Sequence, residues 1–543
     1  MSVIARERKL SLSEKFLRLG KRLRDPEWRR YGTALLGGKF LGIVAVLLFI
    51  TVVSGALFTS VYAQSGTPEV KAADIVNPVN TAWTLIAAFL VFGMQVGFTM
   101  LEAGFCRSRE TVNVLVECVV DTCLCGILFY AVGFAFMFSH GNGFIGYHWF
   151  FLQGAPATYE STGVAFLAVW IFQFAFADTC STITSGAMIG RTGFVGDLLY
   201  SIGVTGFIYP IIGHWAWGPD GWLATMGSTG YVFPSLGMPF HDFAGSTVVH
   251  TIGGFIALAG AIVLGPRLGR KFKRDGGGPM LPHDLTIAVS GGLILWFGWY
   301  GFNPGSTLSA MDFAGIGRVA ANTTLAACAA GLTSILYGYM KTKTWDASYT
   351  TNGFLAGLVA ITCPCYWVSP TGSVLLGGIA GVIVILGVDL LEWLRIDDPI
   401  GAVPVHGMCG IWGTLSLGLF ACGQYGATGP IAADNSAPLR GLLYGGGWQV
   451  LEAQIIGSAC ITLATFAVAM AVMLAVNATG TLRLPAEAEL YGMDLHEHGI
   501  SAYPEYVISA LGAPGGMAQE LPEPVRRTAS GLERVEPLPR AVS

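Results

Sequence analysis

The stretch DFAGSTVVH, Asp242 to His250, opens a long apolar run, and 156 residues further on the chain writes DPIGAVPVH, Asp398 to His406. Both follow D-x-x-G-x-x-x-V-H, with acid and imidazole eight residues apart. Ionisable groups are costly in apolar segments, so one pair at one spacing, used twice, points to an internal repeat with a task.

The surrounding composition sets the class. Hydrophobic residues fill 53% of 543 positions and charged residues only 12%, half the roughly 25% usual for soluble domains. The chain therefore reads as an all-α polytopic membrane protein. Its 74 glycines let apolar helices approach closely. A net charge of -4 leaves no basic surface for nucleic acid once the Lys and Arg flanking the membrane are assigned.

Working outward from the two nonamers, apolar segments of near-spanning length fall at 82–104, 112–138, 162–188, 195–217, 244–264, 284–302, 316–339, 352–369, 372–393, 401–421 and 448–476. Eleven transmembrane helices are predicted, as two five-helix repeats plus a long eleventh. The basic stretches CRSRE, GRTG, GPRLGRKFKRD, KTKT and EWLRID fall at every second connection. The positive-inside rule makes those loops cytoplasmic, the mature N-terminus external and the tail from 477 internal.

The fifth and tenth spans then run in opposite directions. Eight residues at about 1.5 Å each bring His250 and His406 roughly 12 Å in from their acids, toward the midplane from opposite faces. That is the pattern of an inverted repeat, whose substrate path lies between the halves.

The two ends read separately. Residues 1–40 hold eleven Lys or Arg against four acids, before an apolar run and SVYAQ. Residues 1–63 are thus a basic leader with either a signal peptide cut before Gln64 or a retained anchor helix. The transmembrane domain occupies 78–476. The tail, 477–543, is expected to be disordered after about 504, where Pro, Gly and mixed charges replace any apolar face.

DFAGSTVVH, GWYGFNPGS (Gly298–Ser306), DDPIGAVPVHGMCGIWG (Asp397–Gly413) and LRLPAEAELYGMDLHEHG (Leu482–Gly499) with SAY after Ile500 together resemble the ammonium transporter family, Amt/Mep/Rh, in its bacterial Amt branch. The resemblance spans about 78–504. It implies a pore whose paired histidines match His250 and His406. It implies an outer recruitment site matched by Trp217 in HWAWGPDG, Phe176 in FQFAFADT and Ser306, and a gating Phe matched by Phe302. The buried acid near that vestibule matches Asp242. A family position often occupied by Ser falls on Ala135, a departure that leaves no hydroxyl there. The resemblance further implies a homotrimer with one pore per protomer, a bacterial cytoplasmic membrane location, and a tail that couples to a P-II signalling protein. It implies transport of ammonium, with methylammonium as analogue, and neither enzyme activity nor a cofactor.

Those residue types suit the task. A bare cation in a narrow apolar lumen is expensive, so selection belongs at the mouth, where an aromatic face attracts it. A hydroxyl and carbonyls accept its N–H protons. Two neutral imidazoles inside offer neutral ammonia a donor and an acceptor without formal charge.

Other features read as structural. Asp242 and Asp398 suit helix N-caps, with Asp242 also shaping the vestibule. His214 is a packing residue, and the sequon at Asn322 falls in a span. The close cysteine pairs Cys123/Cys125 and Cys363/Cys365 lack zinc-site spacing, so no metal is expected. Three functions stay open: an ammonium transporter or channel, an ammonium sensor of the same fold with little flux, and a redox protein using His250 and His406 as haem ligands.

Overall fold

The computed structural model describes residues 71–226, 237–426 and 438–504. Both readings of the leader, and the expected disorder after 504, lie outside the described residues. Contacts divide the chain at Ala72, and the second unit holds the helices described below.

Ten helices among the described residues are long and apolar enough to cross a membrane: α1 Ala72–Phe105, α2 Thr111–Phe138, α3 Phe166–Gly186, α4 Phe194–Trp217, α5 Ser246–Leu264, α6 Leu285–Thr307, α7 Phe313–Thr342, α9 Pro370–Leu394, α10 Val403–Phe420 and α11 Gln449–Ala478. The eighth expected span is a shorter helix, α8 Ala347–Thr362, of 16 residues. At about 1.5 Å per residue it reaches only about 24 Å, less than a hydrocarbon core of about 30 Å. Pro364 brings no N–H to continue it, and the chain runs on through a buried turn to Pro370. Ten of the eleven predicted spans thus have spanning length among the described residues, and α8 is the short one. Helix α1 also begins ten residues before the predicted 82, through a polar turn containing Pro78.

Local sequence explains several boundaries. Asp284, Asp312, Asp346 and Ser369 each accept backbone N–H bonds at the first turn of α6, α7, α8 and α9. Between α2 and α3 lies a two-stranded hairpin, β1 Gly141–Asn142 against β2 Ile145–Gly146.

The two halves repeat their packing. Helix α2 lies on α3 and α4 as α7 lies on α8 and α9, and α3 meets α5 as α8 meets α10. The halves join where α5 crosses α10. A Cβ at Gly254 would strike the Gly407 backbone, and one at Gly410 the carbonyl of Ser246. Helices α3, α5 and α10 are mostly buried, whereas α11 turns most of its surface outward.

Beyond α11, the short helix α12 Ala486–Tyr491 and the turn after it fold back under the bundle. Asp494 accepts from the Asn113 N–H (3.0 Å), Glu497 from that of Phe194 (2.9 Å), and His283 meets the Tyr503 hydroxyl (2.9 Å). The tail thus meets the end of the bundle that carries the basic α1–α2, α3–α4 and α5–α6 connections.

Candidate functional site

Each D-x-x-G-x-x-x-V-H unit folds by the same rules. Asp242 Oδ1 accepts the N–H of Gly245 and Ser246 (3.0 and 2.9 Å), and Oδ2 those of Thr247 and Val248 (2.8 Å each). Asp398 Oδ1 accepts from Gly401 and Ala402 (3.0 Å each), and Oδ2 from Val403 (2.8 Å). The fourth residue of each unit must turn the chain into the helix at positive φ, +108° at Gly245 and +81° at Gly401, where glycine meets no Cβ penalty. Each helix then opens as a π turn, Ser246–Thr251 and Val403–Met408, that carries the histidine. Single π turns inside α-helices recur at functional sites.

The crossing of α5 and α10 sets the two imidazoles Nδ1 to Nδ1 at 3.1 Å, with ring centroids 5.2 Å apart. At that separation one Nδ1 carries the hydrogen and the other accepts it. His250 Nε2 is buried without a partner.

Aromatic rings extend the pair into a column. Phe302 stacks on His250 at 5.3 Å, Phe176 on Phe302 at 4.0 Å and 23°, and Trp217 meets Phe176 edge-on at 6.1 Å. Phe176 and Phe302 are fully buried, while Trp217 is half-buried. The Trp217 Nε1–H donates to the Asp242 carbonyl (2.7 Å), which ties the outer end of the column to the cap of the His250 helix.

Ser306 stands apart from the rings. It is half-buried, and its hydroxyl donates to its own helix at the Phe302 carbonyl (2.7 Å), which leaves the oxygen able to accept a further hydrogen bond. Ala135 is buried near the end of α2, and Ser139 one turn on donates to its carbonyl. His214 bridges the carbonyls of Met137 and Asn142, holding the hairpin against α4. Asn322 donates to the Cys365 and Val368 carbonyls, so its amide serves the turn after α8. All eleven cysteines are free thiols, and Cys125, Cys363 and Cys365 are buried while Cys123 is exposed. Among the described residues no group of His, Cys, Asp or Glu converges as a metal cage.

One side chain went unread in the sequence. Trp299 stacks flat on His250 at 5.1 Å and 19°, and its Nε1–H donates to Thr362 at the end of α8 (2.9 Å). It lies within GWYGFNPGS, from which the resemblance carried only Phe302 and Ser306. Its contact with His250 is set by the seating of α6 on α1 and α8, which no spacing along the chain reveals.

Beside the second cap, Asp397 accepts from Arg267 Nε and Nη2 (2.8 and 2.9 Å), and the Arg191 guanidinium donates to its carbonyl (2.7 Å). Burial alone would raise the Asp397 pKa, but the paired Arg267 outweighs it and holds the carboxyl well below the usual range.

Taken together, the column can hold a cation only at its half-buried outer end. Further in, the path is walled by ring faces and two imidazoles, which suits a small neutral molecule that both donates and accepts hydrogen bonds.

A family model described as Ammonium Transporter Family matches residues 82–503. Ammonium transporter Amt2 of Archaeoglobus fulgidus is 41% identical over 485 residues, covering 89% of this chain and 99% of that protein. A putative ammonium transporter of Synechocystis is 37% identical over 467 residues, 84% of this chain and 95% of that protein. Among solved structures, one titled Sensor Amt Protein is similar with a TM-score of 0.69 at 34% identity, covering 78% of this chain and 99% of that one. Mep2 of Saccharomyces cerevisiae is similar with a TM-score of 0.67 at 28% identity, over 76% and 88% of the two chains.

Proposed function

Because the chain belongs to the ammonium transporter family, we propose that it recruits ammonium at Trp217, Phe176 and Ser306, deprotonates it, and passes ammonia through a ring gate to the His250–His406 pair. That the protein is a multi-pass membrane transporter rather than an enzyme follows from the family and from its apolar helices. The observation that carries the finer mechanism is the 3.1 Å contact of two buried imidazoles from α5 and α10, continuous with a column of aromatic faces.

Each step has a physical reason. The exposed part of the Trp217 ring attracts a compact cation by about 0.5–2 kcal/mol, and the Ser306 oxygen accepts an N–H. The closed Phe176–Phe302 stack excludes water, so the ion loses a proton before it enters. Beyond the stack, the imidazoles supply one acceptor and one donor. Uptake of methylammonium by proteoliposomes tests this: His250→Ala and His406→Ala should each bring it to background, and unchanged uptake would refute the pore assignment.

A second reading is supported by the likeness to a structure titled Sensor Amt Protein: an ammonium sensor with little flux. Robust methylammonium uptake by the unaltered protein excludes it.

The membrane is taken to be the bacterial cytoplasmic one, with the tail inside, a reading supported by the docking of the tail beside the basic connections. Assembly as a homotrimer and coupling of the tail to a P-II protein rest on the family resemblance. Light scattering of the purified protein tests the first, and co-purification with a P-II protein the second.

A further inference from the structure

Each Asp-capped unit is held a second time, at the residue just before its acid. In the second half that residue is Asp397, whose carbonyl accepts from the Arg191 guanidinium (2.7 Å) and whose carboxyl accepts the backbone N–H of Arg267 (2.9 Å). Those arginines lie in the α3–α4 and α5–α6 connections. In the first half the equivalent residue is His241, and its holder sits on α11, which belongs to neither five-helix repeat. Gln454 is fully buried there. Its Oε1 accepts the His241 N–H (2.9 Å), and its Nε2 donates back to the His241 carbonyl (2.6 Å) and to the Thr414 carbonyl on α10 (3.3 Å).

Two bonds to the N–H and C=O of one residue fix both its place and its rotation. That matters here because residues 237–242 belong to neither helix nor strand, so no ladder of backbone bonds sets them. Helix α11 receives the segment at a second point, since a Cβ at Gly457 would strike the Phe240 ring. The Cys363 thiol, just past α8, also donates to the His241 carbonyl (3.3 Å). The next residue is Asp242, whose carbonyl holds the Trp217 indole (2.7 Å) and whose carboxyl accepts the four N–H groups that start the His250 helix. Thr414 adds a second link, because its hydroxyl pairs with that of Thr247 in the π turn carrying His250. Further along α11, the buried hydroxyls of Thr462 and Thr465 have no hydrogen-bond partner. The clamp is therefore particular to Gln454 and not a general habit of that helix.

We infer that Gln454 is a positioning residue for transport: its amide sets His241, and through Asp242 it sets the indole at the mouth and the first imidazole of the pore together. This rests on the ammonium-transport reading. Without the amide, the segment keeps the Cys363 thiol and the Phe240 ring as holders. Neither fixes rotation, so the Asp242 carbonyl and carboxyl shift as one.

Methylammonium uptake by proteoliposomes, normalised to folded protein, reads half-saturation and maximal rate separately. Gln454→Met has a similar length but neither hydrogen bond. It should raise half-saturation and lower maximal uptake together, each by about fivefold, the scale of one lost hydrogen bond. Gln454→Glu should recover most of both, because a glutamic acid facing carbonyl oxygens keeps its proton and offers the same acceptor and donor. Thr465→Val, a buried change about three turns along the same helix, should leave both constants unaltered. The inference is overturned by Gln454→Met with unaltered constants or with a shift in one alone, by Gln454→Glu no better than Gln454→Met, or by Thr465→Val shifting both as far. Unaltered protein without uptake would instead sink the transport reading itself. If Gln454→Met does not fold, Gln454→Asn, which withdraws the amide by one methylene, takes its place: a joint shift supports the clamp, and unaltered constants refute it.

Discussion

The seam of α2 with α3 and α4 and the seam of α7 with α8 and α9 occupy equivalent places in the two halves, yet they are filled in opposite ways. In the second half Gly357, Gly377 and Gly381 let backbones close on Ala326 and Ala330, and polar side chains there such as Thr333 satisfy themselves on carbonyls. In the first half carboxyls with unpartnered oxygens take the place of those small residues. The Asp-capped histidine unit, by contrast, is nearly identical in both. Packing alone asks for the second solution, so the first is kept for something other than stability, whereas the shared unit is held fixed by its task at the crossing.

The strongest way to break this comparison is at the shared unit. If the halves contribute equally, His250→Ala and His406→Ala should reduce methylammonium uptake to a similar background, a loss of at least about a hundredfold, equivalent to about 2.7 kcal/mol. A variant retaining half the rate would show that the units are unequal.

Next, the seams should differ in their tolerance of charge. Ala330→Asp places an acid among backbones with no room or partner and should cost more than about 4 kcal/mol, seen as loss of monodisperse protein in detergent. Asp178→Asn should stay within about 1 kcal/mol, since it removes an uncompensated acid. Equal thermal stability of the two variants would erase the contrast.

A smaller effect concerns the second cap's neighbour, where the first half has His241 and the second has Asp397. Asp397→Asn breaks a buried pair with Arg267 and should cost about 3 kcal/mol at neutral pH. Because the folded carboxyl lies below the usual range, its contribution is present above about pH 4 and is lost as acid is added below that. Thermal unfolding followed against pH should show that loss in the unaltered protein and not in the variant.

The smallest expected change is at the outer ring. Trp217→Leu should raise the half-saturation concentration about 2- to 30-fold, the range corresponding to about 0.5–2 kcal/mol, and maximal uptake should shift with it because the indole is tied to the cap of the His250 helix. An unchanged half-saturation would remove the cation-binding role.

Much of this was legible because membrane helices announce themselves by length and hydropathy, and because the Asp, Gly and His of each nonamer have local geometric duties. Asp accepts from the backbone N–H groups beginning three residues on, four at Asp242 and three at Asp398, and glycine supplies the turn. What stayed hidden depends on contacts between distant segments. The 352–369 run is mostly apolar on both sides of Thr362, so hydropathy does not register the stop there. The polar turn at Ala72 has the wrong composition for a span and the right one for a helix start. Trp299 was one tryptophan among fourteen until α6 laid it on His250. The four-residue spacing of Glu117 and Asp121 was visible in principle, but only folding sets Asp178 and Asp197 opposite them. Ser306 could be matched by motif, yet the direction of its hydroxyl belongs to the structure.

The indole of Trp217 hangs from the carbonyl of the same aspartate whose side chain starts the His250 helix. Mouth and interior are therefore one mechanical piece, and any adjustment that shifts the indole drags the first imidazole with it. Affinity and turnover should accordingly vary together across variants of the vestibule, and selecting for tighter capture would alter throughput as an unavoidable side effect.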